Sequence, residues 1–355
     1  LRQAVAVLFI GVLSCMLLTG CRDSFTSDND IPIQDSLDDG GTVAKVRQRG
    51  LLKCGVSTGI PGFSDRNQND RWQGIDVDIC RAVAVAVLED PDAIEFVALN
   101  PRNRFLAIKS GEVDLLARNT TWTITRDTAI GLAVAGVNYY DGQSIMVRAG
   151  DAAAGVPGLA NKTICVQRST TSDPNLADFF RRLGFAYEPL KLATPEKMIE
   201  ALEANDCQAI SADQSQLFAH RSRLANPEDY QVLDVYISKE PLGPVVRGDD
   251  QRWFNIVKWS LFAMINAEEL GINMDNVEQM KQSTVPEIRR VLGTEGNIGS
   301  YLGLRASWAA DIIATVGNYG ESFERNLGMA SPIGIPRGYN HLWKEGGILY
   351  APPFR

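Results

Sequence analysis

Histidine is nearly missing from this chain: there are two in 355 residues, His220 and His341. Neither falls in a recognised motif, and so few imidazoles leave little material for a zinc site or for acid–base catalysis built on histidine. Lysine-rich tracts are missing too, and the formal net charge is −8, with 43 acidic residues against 35 basic ones. Nucleic acid and anionic membrane surfaces are held by clustered positive charge, so this balance argues against both as partners. Beyond the N-terminal segment no apolar run is long enough to cross a bilayer. No cofactor is expected. The hydrophobic share of 45% is ordinary for a globular protein, and the length suits two domains of about 100–200 residues each.

What is present begins with an apolar run over residues 4–18, preceded by Arg2 and closed by Leu18-Thr19-Gly20-Cys21. The run is short for a membrane span and ends in small residues, so residues 1–20 read as a secretory signal. The closing tetrapeptide resembles a bacterial lipobox. That makes Cys21 the expected lipidation site and places the remainder outside the cytoplasmic membrane, in the periplasm or at the cell surface, on an acyl anchor. Residues 21–41 are polar, acidic and without period, and read as a disordered tether with a reach of roughly 25 Å. With Cys15 in the signal and Cys21 taken by lipid, Cys54, Cys80, Cys165 and Cys207 remain, an even number suited to an oxidising compartment. Three pairings are open. Cys54 with Cys80 and Cys165 with Cys207 are favoured, since each pair then closes a short loop inside one lobe.

From Thr42 onward the pattern is β, α, β, α, β. VAKVRQRG reads as a short helix stopped by Gly50, LLKCGVSTG as a buried strand, IDVDICRAVAVAVLED as a helix, IEFVAL as a strand, and RNRFLAIKSGEVDLLA as a helix ended by Gly111 and then a strand. The pattern restarts after Gly150. There NKTICVQ opens a strand–helix unit, TPEKMIEALEAN is a helix capped by Thr194 with Pro195 in its first turn, and CQAISAD is a strand. Two α/β lobes with mainly parallel sheets follow, joined by two strand-like crossings at about 144–148 and 245–247 that act as a hinge. Lobe 1 is expected at 42–146 and 245–355, and lobe 2 at 147–244. The stretch from about 280 to 355 is an extension expected to brace lobe 1 by burying Trp308, Phe323 and Trp343.

An ordered set of short motifs carries a resemblance. WQGIDVD (72–78), SGEVD (110–114), TWTITR (121–126), STT (169–171), AD (212–213) and ISKEP (237–241) follow one another as in bacterial extracellular solute-binding proteins of the polar amino-acid class. The segments RNTTWT, YYDGQ, NAEELG and GNYGE extend the likeness to the subgroup that serves ABC transporters for general L-amino acids. The resemblance implies a type II periplasmic-binding-protein fold and a monomeric receptor that closes on a free L-amino acid. It also implies delivery to an ABC permease whose ATPase subunits are separate, with broad specificity and no catalysis of its own. An amino-acid sensor domain is the alternative, and a cyclohexadienyl-dehydratase-like enzyme on the same scaffold is a weaker one, since it requires a general acid in the cleft.

The chemistry of amino-acid capture explains the residues. A zwitterion brings a carboxylate and an ammonium that must both exchange water for fixed partners. Arg126 offers a planar fork for the carboxylate, and Thr121 matches the family's hydroxyl donor to the same group. Ser169 and Thr171 lie at a strand-to-helix turn that favours an anion, with Thr171 matching the donor from the second lobe. Asp213 is the expected acceptor of the ammonium. Asn119 and Trp122 complete the expected ligand set, Trp122 as a wall replacing the aromatic residue that relatives carry near the position of Ile60. The bland readings stand beside these: Thr121 and Thr171 as turn or cap hydroxyls, and Asp213 as the cap of the helix that follows it. Arg118 and Arg168 add positive charge near both sides of the cleft, which would favour acidic side chains; the expectation is instead that they pair with surface carboxylates. Asp76 and Asp78 are expected to open the helix after Gly74 and complement its dipole.

Overall fold

The computed structural model describes residues 41–355. The signal over 1–20, the lipidation site Cys21 and all but the last residue of the tether lie outside the described residues.

Two five-stranded sheets carry the architecture. The first runs in the order Ile94–Ala98, Leu52–Val56, Leu115–Leu116, Val245–Arg247, Leu132–Val134. Its first three strands are parallel, with Leu52 opposite Ile94 and Cys54 opposite Leu115. Val245–Arg247 enters antiparallel to both of its neighbours. The second sheet repeats the plan in the order Glu188–Leu192, Thr163–Gln167, Ala209–Asp213, Gln143–Arg148, Tyr230–Val232, again parallel over the first three strands. Helices cover both faces, so central strands such as Leu52–Val56 and Ala209–Asp213 are almost continuously buried, as parallel strands between two helical layers must be.

A third, two-stranded pairing joins the lobes. Tyr139–Asp141 runs antiparallel to Glu240–Leu242, with Tyr139 opposite Leu242 and Asp141 opposite Glu240. The crossings expected at 144–148 and 245–247 are therefore displaced by a few residues. Those segments are internal strands of the second and first sheets, and residues 143–146 belong with the second sheet. The paired strands are separated from these sheet strands at Gly142 and at Gly243-Pro244, where the chain changes direction between sheets. Gly243 has no room for a side chain, since a Cβ there would lie 2.0 Å from the Gly136 carbonyl oxygen.

Helix Ile75–Leu88 is the spine of the first lobe and is buried on nearly every face. It starts at Gly74, whose φ of 131° and lack of a side chain let it pass the Phe63 carbonyl, where a Cβ would sit 2.1 Å from the oxygen. Helices Gln251–Glu269, Trp308–Thr315 and Tyr319–Asn326 pack on it, so the C-terminal extension is part of the first-lobe core. Val316 and Gly317 separate the last two of these helices, and Asn318 starts the second with a capping box to Glu321. Trp308 and Phe323 are buried, but Trp343 is 52% exposed, its ring N–H donating to Glu269. It lies in a single short turn, Trp343–Glu345, in which no residue is buried, and its ring meets the exposed Tyr350 ring edge-on at 6.0 Å, so the expected burial does not occur. One disulfide, Cys54 to Cys80, ties the first strand to the spine, and the other, Cys165 to Cys207, lies within the second lobe.

Asp78 does more than complement the helix dipole. One carboxylate oxygen accepts from Ser322 Oγ at 2.6 Å, Arg325 Nη2 at 2.6 Å and Asn326 Nδ2 at 2.7 Å, fastening the C-terminal helix to the spine. Removing that oxygen strands three donors around a buried position. Asp78→Ala is therefore expected to lower the free energy of unfolding by about 3 kcal/mol, read as a shift of the urea midpoint. An unshifted midpoint would show that the extension is held by apolar packing alone.

Candidate functional site

The site is assembled where the ends of the two sheets face each other. On the first-lobe side the chain leaves Leu115–Leu116 and runs through Arg118, Asn119, Thr120 and Thr121, all buried. Asn119 has a positive φ of 35°, and its N–H donates to Asp76 Oδ2 at 2.7 Å. Asn138 Nδ2 donates to the other oxygen at 2.9 Å. Asp76 thus holds two loops in register at the start of the spine. Burial outweighs those hydrogen bonds and the nearby Arg118, so its pKa rises from 3.8 to about 6.

Arg126 stands on a single π-helical turn, Thr125–Ala129, with Nη1 donating to the Thr121 carbonyl at 2.8 Å and its guanidinium 5.3 Å over the Phe105 ring. One N–H is spent on holding the side chain in place. Burial lowers its pKa, against the opposing pull of Glu240 and Asp213.

The second lobe answers with the turn between Thr163–Gln167 and helix Ser172–Leu183. Thr171 stands at the N-cap position, yet its side chain makes no cap hydrogen bond. It donates instead to Glu240 Oε2 at 2.9 Å, on the hinge strand. Asn175 and Ser238 donate to the other Glu240 oxygen, both at 2.6 Å. Asp213 closes the strand Ala209–Asp213 and likewise does not cap the helix after it. Its Oδ2 accepts from Gln216 Nε2 at 2.6 Å, whereas its Oδ1 is buried with no hydrogen-bond partner. Burial first, then Asp141 and Glu240 nearby, raise the Asp213 pKa well above the usual carboxylate range.

The halves meet. Thr121 Oγ1 and Thr171 Oγ1 are 3.5 Å apart, Arg223 of the second lobe forms an ion pair with Asp65 of the first, and Ala219 joins the first-lobe core cluster. Between them lies a cavity of ≈ 20 Å³, about one water molecule in size. An amino acid enters only when the lobes stand further apart than this.

Five residues expected from the sequence face this cavity together: Asn119, Thr121, Arg126, Thr171 and Asp213. Two do not. Trp122 follows Thr121 in extended chain, so its side chain points the opposite way, and it is 43% exposed in a separate surface groove beside Tyr140, Tyr236 and Tyr339. Ser169 is exposed, with a positive φ of 63° that turns the chain toward Thr170 and Thr171; its place is conformational. Arg168 is exposed and bonded to the Lys191 carbonyl. Arg118, expected on the surface, is buried and faces the cavity, with Nε donating to the Leu99 carbonyl at 2.7 Å. Its pKa falls to about 10, chiefly through burial. Arg104 was not singled out by the sequence, and Glu240 entered only as part of the motif ISKEP, with no role assigned to it. Arg104 opens an ordinary-looking amphipathic helix, Arg104–Ser110, and Glu240 lies in a strand, so only the packing reveals either.

Because the Asp76 pKa rises on folding, the folded chain holds this proton more tightly than the unfolded one. The stabilisation is fully present below about pH 4 and is lost as the pH rises through about 6. Asp76→Asn cannot ionise. The stability of the wild type relative to this variant is expected to fall by roughly 1–3 kcal/mol between pH 4 and 7, measured by urea unfolding across the range. A constant difference would mean that Asp76 titrates like an exposed carboxylate.

A sequence model of the bacterial extracellular solute-binding proteins, family 3, matches residues 52–273. The general L-amino acid-binding periplasmic protein AapJ of Rhizobium johnstonii is 48% identical over 316 residues, 88% of this chain and 93% of that protein. The glutamate/glutamine/aspartate/asparagine-binding protein BztA of Rhodobacter capsulatus is 46% identical over 315 residues, with 88% and 93% covered. Among solved structures, an ABC transporter periplasmic binding protein from Brucella ovis with glutathione bound superimposes with a TM-score of 0.87. It is 47% identical, and the match covers 89% of this chain and all of that one.

Proposed function

Because the chain belongs to the bacterial extracellular solute-binding proteins, family 3, we propose that it captures free L-amino acids between its lobes and delivers them to an ABC permease driven by separate ATPase subunits. The observation that carries the reading is the convergence of Thr121 and Arg126 from one lobe with Thr171 and Asp213 from the other on a single buried cavity. Arg126 and the two threonine hydroxyls take the α-carboxylate, and Asp213, through its unpartnered oxygen, takes the ammonium. The names of the relatives AapJ and BztA, general for one and four amino acids for the other, support a broad range of side chains. An enzymatic reading finds no imidazole at the cavity: His220 is buried away from it, with its pKa lowered by burial to about 4, and His341 sits in the C-terminal extension.

The lobes divide at the paired strands Tyr139–Asp141 and Glu240–Leu242, and bending there opens the cleft. A ligand gripped from both sides binds the closed state more tightly than the open one, so ligand alone shifts the balance toward closure. The receptor acts as a monomer, held to a membrane through lipid on Cys21.

Arg126→Ala removes a charged partner from a desolvated site and is expected to cost roughly 2–5 kcal/mol of binding, well over tenfold in affinity, by calorimetry. Unchanged affinity would take Arg126 out of the site. Small-angle scattering should show a smaller radius of gyration when the wild type is saturated with an L-amino acid, and no such compaction in Asp213→Ala. For the anchor, Cys21→Ser is expected to move the protein from the membrane fraction to the soluble one; unchanged fractionation with no acyl mass on Cys21 would end that part of the reading.

A further inference from the structure

The carboxylate clamp uses one arginine, yet three face the cavity. Arg104, at the first position of helix Arg104–Ser110, is 3% exposed, and its Nε has no hydrogen-bond partner. Its guanidinium lies 4.7 Å over the Phe105 ring, the same ring that carries Arg126 at 5.3 Å, so the two cations share one aromatic platform. Arg118 spends its Nε on the Leu99 carbonyl. No carboxylate forms a salt bridge with Arg104, Arg118 or Arg126 among the described residues. Asp213 is the only acid on the cavity wall. The other acids close by have their own donors: Asp76 takes Asn119 and Asn138, and Glu240 takes Thr171, Asn175 and Ser238. Burial is costly for a guanidinium: it is the chief cause that lowers both pKa values, neighbouring arginines add to it, and Asp213 and, at Arg118, Asp76 offset it only in part, without a salt bridge.

We propose that Arg104 and Arg118 form a second anion subsite, which reads the ligand side chain and makes the cleft prefer L-amino acids with a distal carboxylate over their neutral counterparts. This rests on the reading of the cleft as an amino-acid site with Arg126 on the α-carboxylate. A dicarboxylic amino acid supplies one anion to Arg126 and a second, one or two methylene groups along its side chain, to Arg104 and Arg118. A neutral amino acid leaves those two cations buried and unpaired. Asn119, whose Oδ1 is also buried without a partner, gives an amide side chain a weaker foothold in the same place, so neutral amides are the informative competitors.

Calorimetry with L-glutamate, L-glutamine and L-alanine tests this, because glutamate and glutamine share a shape and differ in charge. The wild type is expected to bind glutamate about tenfold or more tightly than glutamine. The glutamate-to-glutamine ratio should fall toward one in Arg104→Met and in Arg118→Met, and Arg104→Lys should keep part of it. Thermal melts confirm that each variant is folded, and the wild-type ratio stands even where one variant is not. Equal wild-type affinities for glutamate and glutamine, or folded variants that weaken both ligands alike, would overturn the subsite while leaving the amino-acid reading intact. A wild type that binds none of the three ligands would overturn that reading, and this inference with it.

Discussion

The antiparallel pairing of Tyr139–Asp141 with Glu240–Leu242 is the constraint on which the rest of the molecule depends. It is the short span where the chain passes between sheets, so it fixes which strand ends face each other. It also holds part of the site. Glu240 lies on one of its strands and accepts from Thr171 and Asn175 of the second-lobe helix, while Leu242 pairs with Thr121 of the first-lobe loop. Bending of these strands would therefore act directly on the residues proposed to grip the ligand. Asp141, opposite Glu240, is half-buried and pushed up to about 7, chiefly by desolvation, which places a titratable carboxyl at the pivot itself.

Around that pivot the charge distribution is unbalanced by design of the packing. The cavity wall presents Arg104, Arg118 and Arg126 but a single acid, Asp213. Hydrogen bonds to backbone carbonyls and a shared phenyl ring hold the guanidiniums in place, and none of these contacts carries a countercharge. A protein with an overall charge of −8 thus lines this cavity with three guanidiniums and one carboxylate.

The two acids at the start of the spine helix show how one short motif divides its labour. Asp76 turns toward the cleft loops and orders Asn119 and Asn138. Asp78, half a turn further on, faces the opposite way and anchors Ser322, Arg325 and Asn326 of the C-terminal extension. The spine therefore connects the back of the binding loops to the extension, with Tyr319 adding a hydrogen bond to the Asn138 carbonyl. The extension braces the wall on which the ligand would be clamped.

Local sequence determined the elements of this protein, because their signals are local. Glycine stops at Gly50 and Gly111, the Thr194-Pro195 helix start and the unbroken apolar strands each act within a few residues. The ordered motifs likewise brought Arg126, Thr121, Thr171 and Asp213 to attention before any coordinates. Direction was not legible. Whether Trp122 or Thr121 points into the cleft depends on the pleat at one bridge to the hinge strand, and whether Arg118 meets solvent or the cavity depends on what covers it. The crossing between lobes at Tyr139–Asp141, just before Gly142, also became legible only with both sheets present. Arg104 and Glu240 became visible only in the fold, since a buried charge is defined by neighbours far away in sequence and not by the residues beside it.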